Sequence, residues 1–187
     1  DECIDWALAA AEPCVFISDS GDNPTAGGAG DTNVALAALL AHDVKSAVVA
    51  SIADAPAVET MLAAGIGATV EVELGGKLDP ITCKPLPVRG VVRHLAPGEN
   101  TEAVLQVGGV HVIVTARRRP YHFVADMRRL GLDPLAHKIV LIKIGYLEPD
   151  LKRHAPRAFL ALTPGAVDQA IERLPFQRVR RPLFPLD

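Results

Sequence analysis

Pro13-Cys14-Val15-Phe16-Ile17-Ser18-Asp19 is a short apolar run closed by turn formers, and together with the segment after it this run decides the fold. Its length and its β-branched and aromatic content predict a buried strand. A long Gly-rich loop comes next. From Asn33 to His42 the residues Val34, Leu36, Ala37, Leu39 and Leu40 make a helix that is apolar on most sides, and Ser46–Ile52 returns as a second strand. Strand, helix and strand in that order form a βαβ unit.

Working outward, Asp1–Ala11 reads as an amphipathic helix, and Ala55–Ala64 as a helix stopped by Gly65 and Gly67. Ala68–Leu74 alternates apolar and polar residues as a half-exposed strand does. Beyond Gly75-Gly76 the pattern changes to strands without intervening helices, at Leu86–Leu95, Ala103–Val107 and Val110–Ala116, the last two joined by Gly108-Gly109. A helix around Val124–Leu130, an apolar strand Lys138–Ile144, a short helix near Glu148–His154 and a strand Ala158–Leu162 complete the pattern. A tail carrying Pro175, Pro182 and Pro185 should run extended over the surface. The expectation is a single α/β domain over residues 1–187, a mixed β-sheet flanked by helices that opens with βαβ units and continues as a β-meander.

Composition narrows the function classes. With 187 residues, 49% of them hydrophobic and 22% charged, the chain is long enough for one substantial core and is no disordered tail. Only 4% are aromatic, so the core must be aliphatic. A net charge of −3 argues against a general nucleic-acid binder. Three cysteines, Cys3, Cys14 and Cys83, form no CxxC pair and fit a reducing compartment, so a cytoplasmic location is expected. No apolar run approaches the roughly 20 residues of a membrane-spanning helix, and the start lacks the basic charge of a signal peptide. It also lacks an initiator Met, which reads as a fragment or a processed chain.

The segment Asp19-Ser20-Gly21-Asp22-Asn23-Pro24-Thr25-Ala26-Gly27-Gly28-Ala29-Gly30-Asp31-Thr32 sits between a strand and a helix start, where open α/β sheets bind ligands. It is not a Walker loop: five residues separate Gly21 from Gly27 and no Lys-Ser/Thr comes after. It is not a dinucleotide fingerprint either. After Gly28 and Gly30 the third glycine position holds Asn33, and Asp19, Asp22 and Asp31 would repel a pyrophosphate. Two readings stay open: the loop binds a ligand or a further domain, or Asp31 or Thr32 is an ordinary N-cap and the glycines only make turns.

At this loop the sequence resembles the C-terminal domain of the MlrC family, microcystin-degradation proteins that are metallopeptidases. The likeness rests on Asp22-Asn23-Pro24 with Gly27-Gly28-Ala29-Gly30-Asp31-Thr32, on Lys143-Ile144-Gly145-Tyr146-Leu147, on Leu162-Thr163-Pro164-Gly165, and on the closing Arg180-Arg181-Pro182-Leu183-Phe184-Pro185-Leu186-Asp187. It implies a complete protein about twice this long, in which an N-terminal domain holds a divalent metal, zinc, through carboxylate and histidine ligands. This chain would then be the accessory half of a peptide or amide hydrolase, without metal ligands or cofactor of its own and inert alone. Its partners would be that N-terminal domain and the peptide substrate, not nucleic acid or membrane. Asp22, Asn23, Gly27, Gly28, Gly30, Asp31 and Thr32 would shape the substrate cleft. The alternative is a structural module, in a homo-oligomer, with no direct part in the chemistry.

The remaining candidates are weaker. None of the six histidines, His42, His94, His111, His122, His137 and His154, forms HExxH, HxH or a helical pair four apart. His122 and Asp126, four apart, are expected to hydrogen-bond. Ser18, Ser20, Ser46 and Ser51 lack a GxSxG elbow, and Cys14 reads as a packed thiol. Arg117-Arg118-Arg119 reads as solvated loop charge, or as an anion clamp. Tyr146, at the end of an apolar strand, either packs its ring under the next helix or donates to a developing oxyanion.

Overall fold

The run at 13–19 forms β1 (Val15–Asp19), with all five residues buried. The computed structural model describes residues 1–187. Two more strands are buried throughout, β2 (Ala47–Ala53) and β7 (Ile139–Ile142). These three, with β6 (Val110–Thr115) and β8 (Ala158–Ala161), pair in parallel. Parallel strands need cover on both faces, which is why they read as continuous apolar runs.

The other strands, β3 (Thr69–Leu74), β4 (Leu86–Ala96) and β5 (Glu102–Val107), add to β6 as an antiparallel meander. The whole is one eight-stranded mixed sheet in the order β3-β4-β5-β6-β2-β7-β1-β8. The expected fold class stands.

Helices cover the sheet asymmetrically. On one face α1 (Glu2–Ala9), α2 (Val34–Ala41) and α3 (Ala55–Ala64) bury Ile4, Ala7, Leu36, Leu39, Val58 and Met61 against Ile17, Val49, Val112 and Leu141. On the other, α4 (Val124–Arg128) and α5 (Pro149–His154) bury Val124, Met127 and Leu151 against Phe16, Val48, Val140 and Ile142. Alternate residues of each strand thus serve opposite cores. Asp54 starts α3 by accepting from the Ala57 amide at 3.1 Å, and Pro56 fits its first turn. Gly65 ends it at φ +84°.

This topology produces a switch point. The chain leaves β1 for α2 on one face and leaves the neighbouring β7 for α5 on the other, the arrangement in which open α/β sheets form a crevice at the strands' carboxyl ends. The Gly-rich loop fills its rim. Beyond β8, residues 163–187 are mostly exposed, interrupted by a 3-10 turn at Ile171–Arg173. No helix is long and apolar enough to cross a membrane.

Candidate functional site at the strand-end crevice

Asp22 organises the loop from within. Its carboxylate, 1% exposed, accepts from the Gly30 amide at 2.7 Å and the Thr32 amide at 2.8 Å, tying the far end of the glycine run to one side chain. Lys143, immediately after β7 and also buried, completes it with an ion pair at 2.6 Å and donates to the Thr32 carbonyl at 2.9 Å. Burial opposes ionisation of Asp22, but the Lys143 ammonium and the two amides outweigh it and hold the carboxyl below its ordinary range.

Asp19 ends β1 a few residues away. Burial pushes its carboxyl up, against Lys143, the Thr163 hydroxyl that donates to it, and the Gly21 amide at 3.2 Å. One lysine therefore serves two buried carboxylates, and its ion pair is with Asp22.

Asn23 turns the loop back on itself. Its Oδ1 accepts from the Thr25 amide and hydroxyl, and its Nδ2 donates to the Ile144 carbonyl at 2.5 Å. Its own carbonyl accepts from the Ala26 and Gly28 amides. What remains outside is the exposed tip Thr25–Gly27, where the Gly27 amide, at φ +104°, donates to no protein acceptor. Gly28 and Gly30 lie below it, buried, and a Cβ on Gly28 would meet the Asp22 and Asn23 backbone at 2.8 Å.

Of the two readings left open for the end of the loop, the helix cap is not the one the structure shows. The N-cap of α2 is Asn33, and neither Asp31 nor Thr32 caps it. Asp31 reaches across to the segment after β3, accepting from the amides of Lys77 at 2.8 Å, Leu78 at 2.5 Å and Asp79. Asn33 binds the same region through the carbonyls of Leu74 and Lys84. The cause is local: Gly75 and Gly76, at φ +64° and +63°, bend that segment back until the Gly76 amide meets the Asp31 carbonyl.

Other expectations meet different fates. The His122 ring makes no bond to Asp126; instead Asp126 accepts from the backbone amides of His122 and Phe123, because it sits in the first turn of α4. Arg117 and Arg118 are exposed, as loop charge is, but Arg119 is partly buried and pairs with buried Glu102 at 2.8 Å and Asp126 at 3.0 Å, in a cluster completed by Arg129 and the Tyr121 hydroxyl. Arg118 donates to the Gly28 carbonyl at 3.2 Å, bracing the loop from the β6 side. Tyr146 is half exposed, and its hydroxyl donates to Glu148 at 3.1 Å. Cys14 is buried as expected, its thiol pushed up to about 11 by burial first and Asp133 second.

The structure thus brings together Asp22, Asn23, Gly28, Gly30 and Thr32, turns Asp31 toward the β3 side, and leaves Gly27 outward. Lys143 and Thr163 belong to the same cluster, although the sequence marks them only as parts of motifs. The signal for Lys143 is a charge embedded in an otherwise apolar strand end. The side chains do not assemble a ligand set for a divalent metal: no three His, Cys, Asp or Glu groups converge.

An α/β protein with a preorganised, glycine-rich loop at the strand-end crevice is the class that fold and site define. Residues 17–178 match the family model described as MlrC C-terminus, and the chain belongs to that family. It is 34% identical over 154 residues to Microcystinase C of Sphingomonas sp, a match covering 75% of this chain and 30% of that protein. Its fold is similar, at TM-score 0.85 and 25% identity, to the crystal structure of a "Putative metallopeptidase" from Mesorhizobium sp. BNC1, covering 100% of this chain and 40% of that one. The chain spans less than half the length of either relative.

Proposed function

We propose that this chain is the C-terminal accessory domain of a metal-dependent peptide or amide hydrolase, and that its Gly-rich loop shapes the substrate cleft. The rigid hold on the loop carries the reading. Asp22, Asp31, Asn23 and Lys143 fix it from inside, which leaves a short tip with an open amide at the place where α/β sheets receive ligands. A structural brace would not need an exposed, unpaired tip. The relatives support the hydrolase class, one named Microcystinase C and the other described as a "Putative metallopeptidase".

The metal of this reading, zinc, is held by the part of the longer polypeptide that lies outside the 30% and 40% of the relatives' lengths matched by this chain. Bound there, it would supply Lewis-acid polarisation of the scissile carbonyl and an activated water. The residues of this chain orient the substrate through the loop backbone. Asp22 and Asp31 act as positioning residues because their carboxylates are already engaged with amides.

The test is a tip exchange in the full-length protein, Thr25-Ala26-Gly27 to Ser-Gly-Gly, which keeps a hydroxyl for Asn23. We expect kcat/KM for peptide hydrolysis to fall at least about tenfold with the melting temperature nearly unchanged. Unchanged kcat/KM would leave the loop a brace and favour the module reading.

A further inference from the structure

Beside the loop, on the rim just beyond β7, lies a second group of polar side chains that the hydrolase reading does not use. Tyr146 comes shortly after β7, and its backbone is anchored because the Ser18 hydroxyl donates to its carbonyl at 2.7 Å. The residue is 49% exposed, so the phenol is not packed under a helix, and the adjoining Gly145 amide donates to the Asp19 carbonyl at 3.0 Å, which sets this segment beside the carboxyl end of β1. The hydroxyl hydrogen is directed to Glu148 Oε1 at 3.1 Å. The oxygen lone pairs are what it offers outward.

Glu148 differs from its acidic neighbours. Asp150 is engaged by Arg153 and by the Val124 amide, and Asp126 by Arg119 and two amides. Glu148 has no lysine or arginine within ion-pair distance; the imidazole of His122 lies beside it, with Nε2 at 4.0 Å, and that nitrogen is buried without a hydrogen-bond partner. The carboxylate, with about a quarter of its side chain exposed, is thus a partly buried acceptor without a lysine or arginine partner. A phenol that donates to a carboxylate becomes a stronger acceptor in turn. Together they present a pair of acceptor groups on the segment that lies beside the carboxyl ends of β1 and β7.

We propose that Tyr146 and Glu148 form a subsite for a positively charged N–H donor of the substrate, an ammonium or guanidinium group near the scissile amide. This rests on the hydrolase reading and names the chemistry that the domain would select. It also replaces the oxyanion role open to Tyr146 on sequence alone, since its hydrogen is already committed to Glu148.

The experiment uses the full-length protein with [13C]Tyr labelling, the Tyr146 signal being assigned by Tyr146→Phe. Glycinamide, with a free ammonium, should shift that signal saturably, and N-acetylglycinamide should not. Glu148→Gln, a substitution at a partly exposed position, should weaken glycinamide binding about tenfold. In peptide hydrolysis both variants should raise KM about tenfold for substrates with a free amino terminus, with kcat within about twofold and acetylated substrates unaffected. Equal response to the two probes, or an affinity indifferent to Glu148→Gln, overturns the subsite. If the titration behaves as expected while the wild-type protein cleaves no peptide, the hydrolase reading fails and the subsite stands. If peptides are cleaved and neither variant distinguishes free from acetylated substrates, the reverse holds.

Discussion

At the residue scale the decisive feature is a lysine shared between two buried carboxylates. Taking Lys143 and Asp22 out of water is costly, and their contact is stabilising only because two amides and the Thr32 carbonyl complete the coordination of both charges. Removing one partner therefore leaves an uncompensated charge: Lys143→Met should cost about 3–5 kcal/mol in urea unfolding. Adding Asp22→Asn to that variant should recover part of the loss. The pH dependence has a definite sign. Asp22 titrates lower in the folded chain than unfolded, so its contribution is present above the ordinary carboxylate range, near pH 4, and is lost as pH falls through its depressed value. Asp19 is shifted the other way, so its ionisation opposes folding as pH rises. Acid titration of Asp22→Asn should accordingly show a shallower decline in stability below about pH 4 than the wild type.

At the element scale the loops after β1 and β8 are packed backbone to backbone. The Val167 amide donates to the Gly21 carbonyl, and a Cβ on Gly165 would lie 1.9 Å from that same oxygen. Gly165→Ala must push the two loops apart, and should cost about 1–3 kcal/mol in stability by the ordinary penalty for overpacking. The elements themselves are legible in sequence: Ala55–Ala64 matches its helix end to end, and the strands differ from their expected limits by at most two residues, because period and glycine punctuation are local signals. The links between elements are not. Asp31 looks like a cap because it precedes a helix, yet its partners lie 46 and 47 residues onward. Arg119 looks like loop charge because nothing local announces Glu102 as its buried partner. Of the site, motif reading finds the loop; the lysine that holds it needs the fold.

On the scale of the whole molecule, a parallel block and an antiparallel wing share β6, and no break in pairing separates them. Glu102, on β5 of the wing, is gripped by Arg119 and Arg129 from the segments that lead toward β7, so the wing is tied to the block by charge as well as by the ladder. We expect one cooperative unfolding transition. Trp6, the sole tryptophan, lies on α1 against Phe159 of β8, at the edge of the sheet remote from the wing. Its fluorescence and the far-UV circular dichroism of the whole chain should therefore give coincident urea curves.

The clamp on the Gly-rich loop also has an order in time. Asn23 is held by a carbonyl 121 residues later and Gly21 by a hydroxyl 142 residues later. A ribosome emits the chain at roughly 5–20 residues per second, so the loop spends several seconds in the open before its anchors exist. The loop residues beside the strand ends are made well before the groups that hold them, and are set in place only after those groups emerge.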